Sequence, residues 1–193
     1  MAIIDLPVQE DCFICTNSAN WDTNFGNHNF YLTNGSYEWR TLIRPNFSSL
    51  PASAVISAVS LFLCNEAGPS ASRTDSFYRL RRMWVELQAT GHIWKTGSNW
   101  STIGAENTSY DRYSTLMGTI TIPYPHSQIY YSCSLSVSEF DALRSSNTGI
   151  LIKRTGGSLN DGYYRSSQYT GSAPYFRVTY TLPSSKQRIT WFI

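Results

Sequence analysis

The stretch from Arg40 to Cys64 constrains the fold of this chain more than any other. It reads RTLIRPNFSSLPASAVISAVSLFLC, two apolar runs on either side of a polar turn, and the second run is rich in β-branched and aromatic residues. Charged residues stop at Arg44 and do not return until Glu66. Such runs are typical of strands in the core of a sheet. Nothing in them indicates a reactive site, so they predict a protein that binds or holds something and does not transform it.

The composition indicates a single globular domain with a weakly charged surface. A chain of 193 residues fits one all-β domain. Such a chain buries roughly 70% of its unfolded surface, so its core needs neither a disulfide nor a metal. Charged and aromatic residues each make up 15% of the chain, and the charged share is well below the roughly 25% of an average globular protein. Uncharged polar residues combined with Tyr and Trp suit a surface that makes contacts, because these rings give a large area at low entropic cost.

The net charge of +2 does not indicate a nucleic-acid partner. The tight basic cluster of Arg79, Arg81 and Arg82 is divided between two faces if it lies in a strand. The first residues, MAIIDLPVQED, lack the basic start and the apolar stretch of a secretory signal. No run approaches the roughly 20 apolar residues of a membrane span. We therefore expect neither nucleic acid nor a membrane as partner.

The four cysteines are predicted to be buried thiols. Cys12 and Cys15 form a CxxC motif within an apolar run, but residues three apart in a strand face opposite sides, which is wrong for chelation. No second CxxC and no histidine pair follows. A disulfide between Cys64 and Cys133 remains the alternative for that pair.

Hydrophobic alternation along the chain predicts about nine or ten short strands, one short helix and no regular exchange of strands with helices. The clearest alternation runs from Ile129 to Ser138, with apolar residues and serines on opposite faces. Ser138 is expected to cap the short helix EFDALR, with Asp141 at the capping-box position. The closing strand is expected over Tyr175 to Leu182, with Leu182 facing inward. This pattern favours an all-β fold, an antiparallel β-sandwich of the jelly-roll type with one short helix.

The chain divides into three predicted parts. Residues 1–10 are an N-terminal arm, residues 11–182 are the β-sandwich, and residues 183–193 are a C-terminal tail that ends in T-W-F-I. Such an apolar ending is costly to expose to water. We expect the tail to fold back or to dock on another subunit.

Five segments carry a resemblance to a known family. They are RTLIRPNFSSLPASAVISAVSLFL (40–63), YRLRRMW (78–84), QATGHIW with NWSTIGAENTSYD (88–111), TGILIK (148–153) and SSQYTGSAPYFRVTYT (166–181). In this order they resemble the DNRLRE-type β-sandwich domains, which look like carbohydrate-binding-module jelly rolls. The chain departs from the family at Pro45-Asn46, where an aromatic residue followed by Asp is usual, and at His92-Ile93, which are inserted before Trp94.

The resemblance implies a non-catalytic module of the kind that accompanies enzymes or adhesins. The chain contains no G-x-S-x-G, H-E-x-x-H, Walker or G-x-G-x-x-G motif, and its histidines are scattered. No pair of carboxylates stands out for acid–base work on sugars. We therefore expect no enzymatic activity and no cofactor.

Two sets of residues are candidates for binding. Trp94 and Tyr110, in the long, weakly periodic segment 85–112, and the adjacent Tyr113 are the candidate glycan contacts. The resemblance implies that Trp84 and Trp100 lie in the core. Glu106 and Asp111 flank N-T-S-Y and are weak candidates for calcium, since carboxylate oxygens suit that ion.

The functional hypothesis is a structural protein of a phage virion, a capsid decoration (cement) protein that stabilises the shell through subunit contacts. Its expected partners are the major capsid protein and copies of itself, as a homotrimer. The alternatives are a carbohydrate-binding module from a larger secreted enzyme and a phage tail or fibre adhesin that binds surface glycans. The predicted assembly contacts are Ile189, Trp191, Phe192 and Ile193 in the tail, with Ile3 and Ile4 as a second clasp.

Overall fold

The computed structural model of the chain describes residues 1–33, 38–67, 71–125, 128–157 and 162–183. These ranges form an all-β antiparallel sandwich with one short helix, as the sequence predicted. The strands are β1 (Ala2–Cys15), β2 (Phe30–Thr33), β3 (Trp39–Pro45), β4 (Val55–Ala67), β5 (Arg73–Leu80), β6 (Ile93–Lys95), β7 (Ser98–Asn99), β8 (Arg112–Ile122), β9 (Tyr130–Ser134), β10 (Ile150–Gly157), β11 (Gly162–Arg165) and β12 (Tyr175–Thr181). The helix is α1 (Val137–Ser146), and no helix in the described ranges is both long and apolar enough to cross a membrane.

The two layers of the sandwich share strand β1. Its first half, from Ala2 to Pro7, pairs with β12, which pairs in turn with β4, and β4 with β9; we call this layer sheet A. Its second half, from Val8 to Cys15, pairs with β3, and this layer continues through β10 and β5 to β8; we call it sheet B. The end of β4 also pairs with β11, which pairs with β2.

The passage of β1 between the sheets lies beside a proline. A register shift occurs between Val8 and Glu10, and Val8 is opposite Pro45, the last residue of β3. Proline has no N–H to donate to a ladder, which is why the sequence predicted an edge or a bulge here. The bulge changes the direction of β1, so that the strand pairs first within sheet A and then within sheet B.

The main core fills the space between sheets A and B. Alternate residues of the strands supply it, and Phe77, Phe140 and Phe176 are fully buried there. Burying such a side chain contributes about 2 kcal/mol. Phe140 comes from α1, and its ring lies 5.4 Å from that of Phe47 and 5.5 Å from that of Phe176. The helix therefore completes the core.

The helix begins two residues earlier than the sequence predicted. Ser136 is the N-cap, and its Oγ accepts a hydrogen bond of 3.4 Å from the Glu139 N–H. Ser138 lies within the first turn, with its Oγ 3.0 Å from that of Ser136. The prediction of Ser138 as cap was wrong because strand β9 ends at Ser134 and leaves Val137 in the helix.

A second core lies on the outer face of sheet B. The segment of residues 81–111, which includes the hairpin β6–β7, covers this face. Trp84 and Trp100 are 0% and 4% exposed, which confirms their predicted place in the core. They pack with side chains from the sheet such as Leu42 and Leu151. The long segment thus has a structural task.

Both ends of the sandwich differ from the sequence prediction. The first strand begins at Ala2 and not at Asp11, so residues 2–10 continue β1 where an arm was expected. Leu182 is 57% exposed and does not face inward, because β12 already ends at Thr181.

Candidate functional site

Exposed apolar side chains gather where strand β1 forms the margin of sheet A. Met1, Ile3, Val55 and Leu182 are 93%, 66%, 57% and 57% exposed. They lie at one end of the sheet, because β1 is paired with β12 from Ala2 onward and the end of β12 is paired with the start of β4. We call these four residues the edge surface. Exposed large apolar side chains at one end of a sheet indicate an interaction site.

The backbone beside the edge surface has an open side. Residues 2–6 pair with β12, whereas β3 joins β1 only from Val8 onward, and no other described strand lies against residues 2–6. Alternation of the strand turns Ile3 outward and Ile4 inward, where Ile4 is partly buried against the main core. Of the two predicted N-terminal contacts, Ile3 is therefore accessible and Ile4 serves the core.

A cleft of about 240 Å³ opens in this region. It is lined by Met1, Ala2, Tyr180, Thr181 and Leu182. The cleft is small for a drug-sized ligand, whose sites measure roughly 300–1,000 Å³. Its size suits one or two side chains of a protein partner.

The predicted tail contacts Ile189, Trp191, Phe192 and Ile193 lie outside the described residues. The described chain ends at Pro183, directly after Leu182 of the edge surface. The last described residue therefore follows directly on the edge surface.

Three aromatic rings lie together on the outer face of sheet A. Phe62 and Tyr175 are stacked, with ring centroids 4.7 Å apart and planes at 4°. Tyr130 meets Tyr175 edge-on at 5.5 Å and donates its hydroxyl to the Ala173 carbonyl over 2.8 Å. We call Phe62, Tyr130 and Tyr175 the aromatic face. The 81–111 segment covers sheet B, not this sheet, so the aromatic face keeps part of its surface in solvent.

A charged pair borders the aromatic face and ties it to β1. The Arg177 guanidinium lies 5.2 Å from the Phe62 ring centroid and 5.5 Å from that of Tyr175. It also donates two hydrogen bonds of 2.8 Å to the Asp5 carboxylate. These bonds lower the pKa of Asp5 although partial burial opposes the shift. An arginine and a carboxylate beside aromatic rings offer both donors and acceptors to a polar ligand.

The three predicted glycan contacts, Trp94, Tyr110 and Tyr113, have different surroundings. Trp94 is half-buried, packs against the second core and carries the Lys95 ammonium 4.7 Å from its ring centroid. Tyr110 is 60% exposed. The guanidinium groups of Arg79 and Arg81 lie 3.5 and 3.7 Å from the ring centroid of Tyr113. They cover the ring, so a sugar could stack on it only by displacing them.

The Glu106 carboxylate holds three cations. It accepts hydrogen bonds of 2.8 and 2.9 Å from Lys153 and 2.9 Å from Arg112, and Arg40 lies 2.9 Å away. Burial opposes its ionisation, but the Lys153 hydrogen bond and the two arginines outweigh burial and lower the pKa of Glu106. A calcium ion at this predicted ligand would have to displace these cations.

Asp111, the second calcium candidate, is fully buried. Its oxygens accept hydrogen bonds of 2.8 and 2.9 Å from the N–H groups of Ser101 and Thr102. It thereby fastens the segment that covers sheet B. No group of three metal-ligating side chains occurs within the described ranges.

A second ionic cluster is buried at the start of β5. The Asp75 carboxylate is 0% exposed and meets Arg154 at 2.7 Å, the Tyr164 hydroxyl at 2.6 Å, Thr33 at 3.3 Å and Arg73 at 3.4 Å. Burial and this carboxylate raise the pKa of Tyr164 well above its ordinary value. Four strands supply these groups, so the cluster fixes their register.

All four cysteines are buried thiols. The structure therefore does not contain the alternative Cys64–Cys133 disulfide. Burial raises the pKa of Cys133 to about 12 and raises the pKa of Cys12 well above its ordinary value. Such thiols are inert packing residues.

The sequence analysis did not identify the aromatic face, and of the edge surface it named Ile3 alone as a contact. The aromatic residues come from three strands, β4, β9 and β12, whose adjacency no local pattern reveals. The signal in the sequence is that positions 62, 130 and 175 are aromatic, although the other outward positions of their strands are mostly polar or small.

No family model matches this chain, and no curated protein matches it.

Proposed function

We propose that this protein is a non-catalytic structural protein of a virion, a capsid decoration protein that attaches to the shell through subunit contacts. The observation that carries the proposal is the edge surface beside the open side of residues 2–6. Exposed apolar side chains and an open strand edge are both liabilities in an isolated protein, because they invite association. They are useful in a protein that works within an assembly.

The remainder of the described structure supports a role in attachment and not in catalysis. Two hydrophobic cores and the two ionic clusters hold the sandwich together. The titratable groups Glu106, Asp111 and Asp75 are spent on internal contacts, which leaves them unsuited to acid–base catalysis. A protein that attaches to a shell needs a stable fold of this kind, with its contact surfaces at the edge of the sandwich.

The thiols favour a virion over a secreted enzyme. Secreted domains commonly contain disulfides, whereas proteins that fold in a reducing cytoplasm keep thiols. This chain keeps four buried thiols. A virion protein folds in the cytoplasm of the infected cell, and the thiols fit that origin.

Co-assembly with shells tests the proposal. The chain is expressed with the major capsid protein of the genome that encodes it, and shells are separated from free protein on a density gradient. We expect the chain to sediment with the shells at a fixed ratio and to raise their melting temperature. Ile3→Lys places a charge on the edge surface and should lower the occupancy at least tenfold. Ser132→Lys, an exposed position on β9, is the matched control. Shells that remain bare at every ratio of the two proteins contradict the proposal.

A glycan-binding adhesin is the second candidate, and the aromatic face favours it. Aromatic rings beside an Arg–Asp pair can contact sugar CH groups and hydroxyls together. A glycan array with the wild-type chain, Tyr175→Ala and Trp94→Ala separates the aromatic face from the contact predicted at Trp94. Binding lost in either variant supports this candidate and locates its site. An array without any bound glycan contradicts it.

A further inference from the structure

Arg81 belongs to the basic cluster noted in the sequence, and the structure fixes its guanidinium in place. Its Nε donates hydrogen bonds of 3.3 and 3.2 Å to the carbonyls of Thr108 and Arg112. Its guanidinium carbon lies 3.7 Å from the ring centroid of Tyr113. A planar guanidinium that is bonded at Nε and stacked on a ring loses little further freedom when it binds a ligand.

The Tyr113 ring is held between two arginines. The guanidinium carbon of Arg79 lies 3.5 Å from the same ring centroid as that of Arg81. Two guanidinium groups this close to one ring centre occupy opposite faces of the ring, because they would overlap on the same face. Arg79 is only 11% exposed in its side chain and is bound by Glu139 of α1 at 3.0 Å. Of the two arginines, Arg81 is therefore the one that is open to solvent.

The charge of Arg81 is not compensated by the described residues. None of their carboxylates forms an ion pair with it, and none of their acceptors is bonded to its two terminal amino groups. The carboxylates near it are engaged elsewhere. Glu139 binds Arg79, and Glu106 is shared by three other cations. The buried Asp111 carboxylate accepts hydrogen bonds from backbone N–H groups. An exposed, oriented and unpaired positive charge is thus left at Arg81.

We propose that the terminal amino groups of Arg81 bind the carboxylate of an Asp or Glu side chain of a protein partner. Two parallel N–H donors at the end of a planar guanidinium match the two oxygens of a carboxylate. Arg81 directly follows β5 of sheet B, whereas the edge surface belongs to sheet A. The inference therefore adds a second contact surface and goes beyond the proposed function.

The surroundings of Arg81 favour a protein over an acidic sugar chain. A sugar acid gains by stacking on an open aromatic face beside the arginine, but both faces of the Tyr113 ring are covered. Tyr110 is 60% exposed and lies in the same turn as Thr108, whose carbonyl binds Arg81. Tyr and Arg together are typical of the residues that dominate protein–protein interfaces.

Titration of the full-length wild-type protein with poly-L-glutamate tests the site without any substitution. Nuclear magnetic resonance of the arginine side chains reports rotation about the bonds between Cζ and the terminal nitrogens. We expect this rotation to slow at Arg81 at low ionic strength, because a carboxylate bound at two points locks both amino groups. The rotation at Arg79, which Glu139 already binds, should not change.

Three variants give the affinity side of the test. Arg81→Gln should weaken the binding of poly-L-glutamate at least about tenfold. Arg81→Lys should weaken it at least about threefold, because lysine keeps the charge but lacks the planar pair of donors. Arg82→Gln is the matched control, since it removes the same charge one residue away from the Tyr113 stack. It should change the affinity by less than about threefold.

Three results would overturn the inference. Unchanged rotation at Arg81 in the presence of excess poly-L-glutamate means that no carboxylate is bound, whether or not the variants fold. Equal weakening by Arg81→Gln and Arg82→Gln means that the attraction is diffuse. Tighter binding of hyaluronate, which carries its carboxylates on a sugar chain, contradicts the assignment to a protein partner.

The shells separate this test from the proposed function. A chain that binds poly-L-glutamate through Arg81 but leaves shells bare contradicts only the virion role. A chain that occupies shells but does not bind poly-L-glutamate contradicts only the carboxylate site.

Discussion

The Arg177 guanidinium donates two hydrogen bonds of 2.8 Å to the Asp5 carboxylate and thereby ties the closing strand to the first residues of the chain. Both side chains are nearly half exposed, so the pair contributes little to global stability. Its importance is local, because it holds the strand whose other side is open.

We predict that Arg177→Gln loosens residues 2–7 without unfolding the sandwich. Amide hydrogen exchange over these residues should become faster, while exchange in β4 stays unchanged. The same loosening should occur in the wild type at low pH. The pKa of Asp5 is lowered in the folded state, so the pair is intact above the ordinary pKa of about 3.9 and is lost as pH falls through the lower folded value. Protection factors of residues 2–7, corrected for the intrinsic effect of pH on exchange, that change with neither the variant nor pH would show that the pair does not hold the strand.

We predict that Glu106→Gln destabilises the protein by about 2 kcal/mol, because it leaves Arg40, Arg112 and Lys153 without their carboxylate. This free energy is smaller than that of a fully buried ion pair because Glu106 is partly exposed to solvent. Urea unfolding measures the change. Glu38→Gln is the matched control, since Glu38 also contacts Arg40 but at 3.4 Å and with a side chain that is 58% exposed. The Glu106 contribution should be present above the ordinary carboxyl pKa and fade as pH falls through the lowered folded value. Equal effects of both variants would contradict the role of Glu106.

We predict that Ser136→Ala costs about 1 kcal/mol through the loss of the N-cap of α1. Ser138→Ala, two residues later, should cost much less because its hydroxyl caps no backbone N–H in the described contacts. Thermal unfolding of the two variants under identical conditions makes the comparison. A larger loss of stability for Ser138→Ala than for Ser136→Ala would show that Ser138 is the N-cap, as the sequence predicted, and would contradict our account.

We predict that the native protein reacts slowly with an aromatic disulfide reagent at pH 8, because all four thiols are buried and burial raises the pKa of Cys133 to about 12. In denaturant, all four should react within the mixing time. Fewer than four reactive thiols in denaturant would reveal a disulfide. Fast reaction of the native protein would contradict the buried positions.

The sequence predicted what depends on local alternation and on composition. The all-β class follows from apolar periodicity, and the irregular position at Pro45 follows from the missing N–H of proline. The burial of Trp84 and Trp100 is what the family resemblance implied. The errors lie where two local signals compete. Ser136 and Ser138 are both plausible caps, and the choice depends on where β9 stops pairing with β4.

The contact surfaces were less predictable because they are products of topology. Ile3 and Leu182 are far apart in sequence, and they come to the same end of sheet A only because β1 pairs with β12. Phe62, Tyr130 and Tyr175 likewise meet across three strands. Trp94 was a reasonable glycan candidate by residue type, but packing against the second core takes up part of its ring.

Amide hydrogen exchange over residues 2–6 tests most directly whether this edge is the site of assembly. The rates are compared between isolated particles that carry the protein and single chains in dilute solution, with the buried Leu61 and Leu63 of β4 as the internal reference. Our account predicts that exchange at residues 2–6 is at least about tenfold slower in the particles, while the reference stays slow in both states. Equal exchange of residues 2–6 in the two states would contradict it.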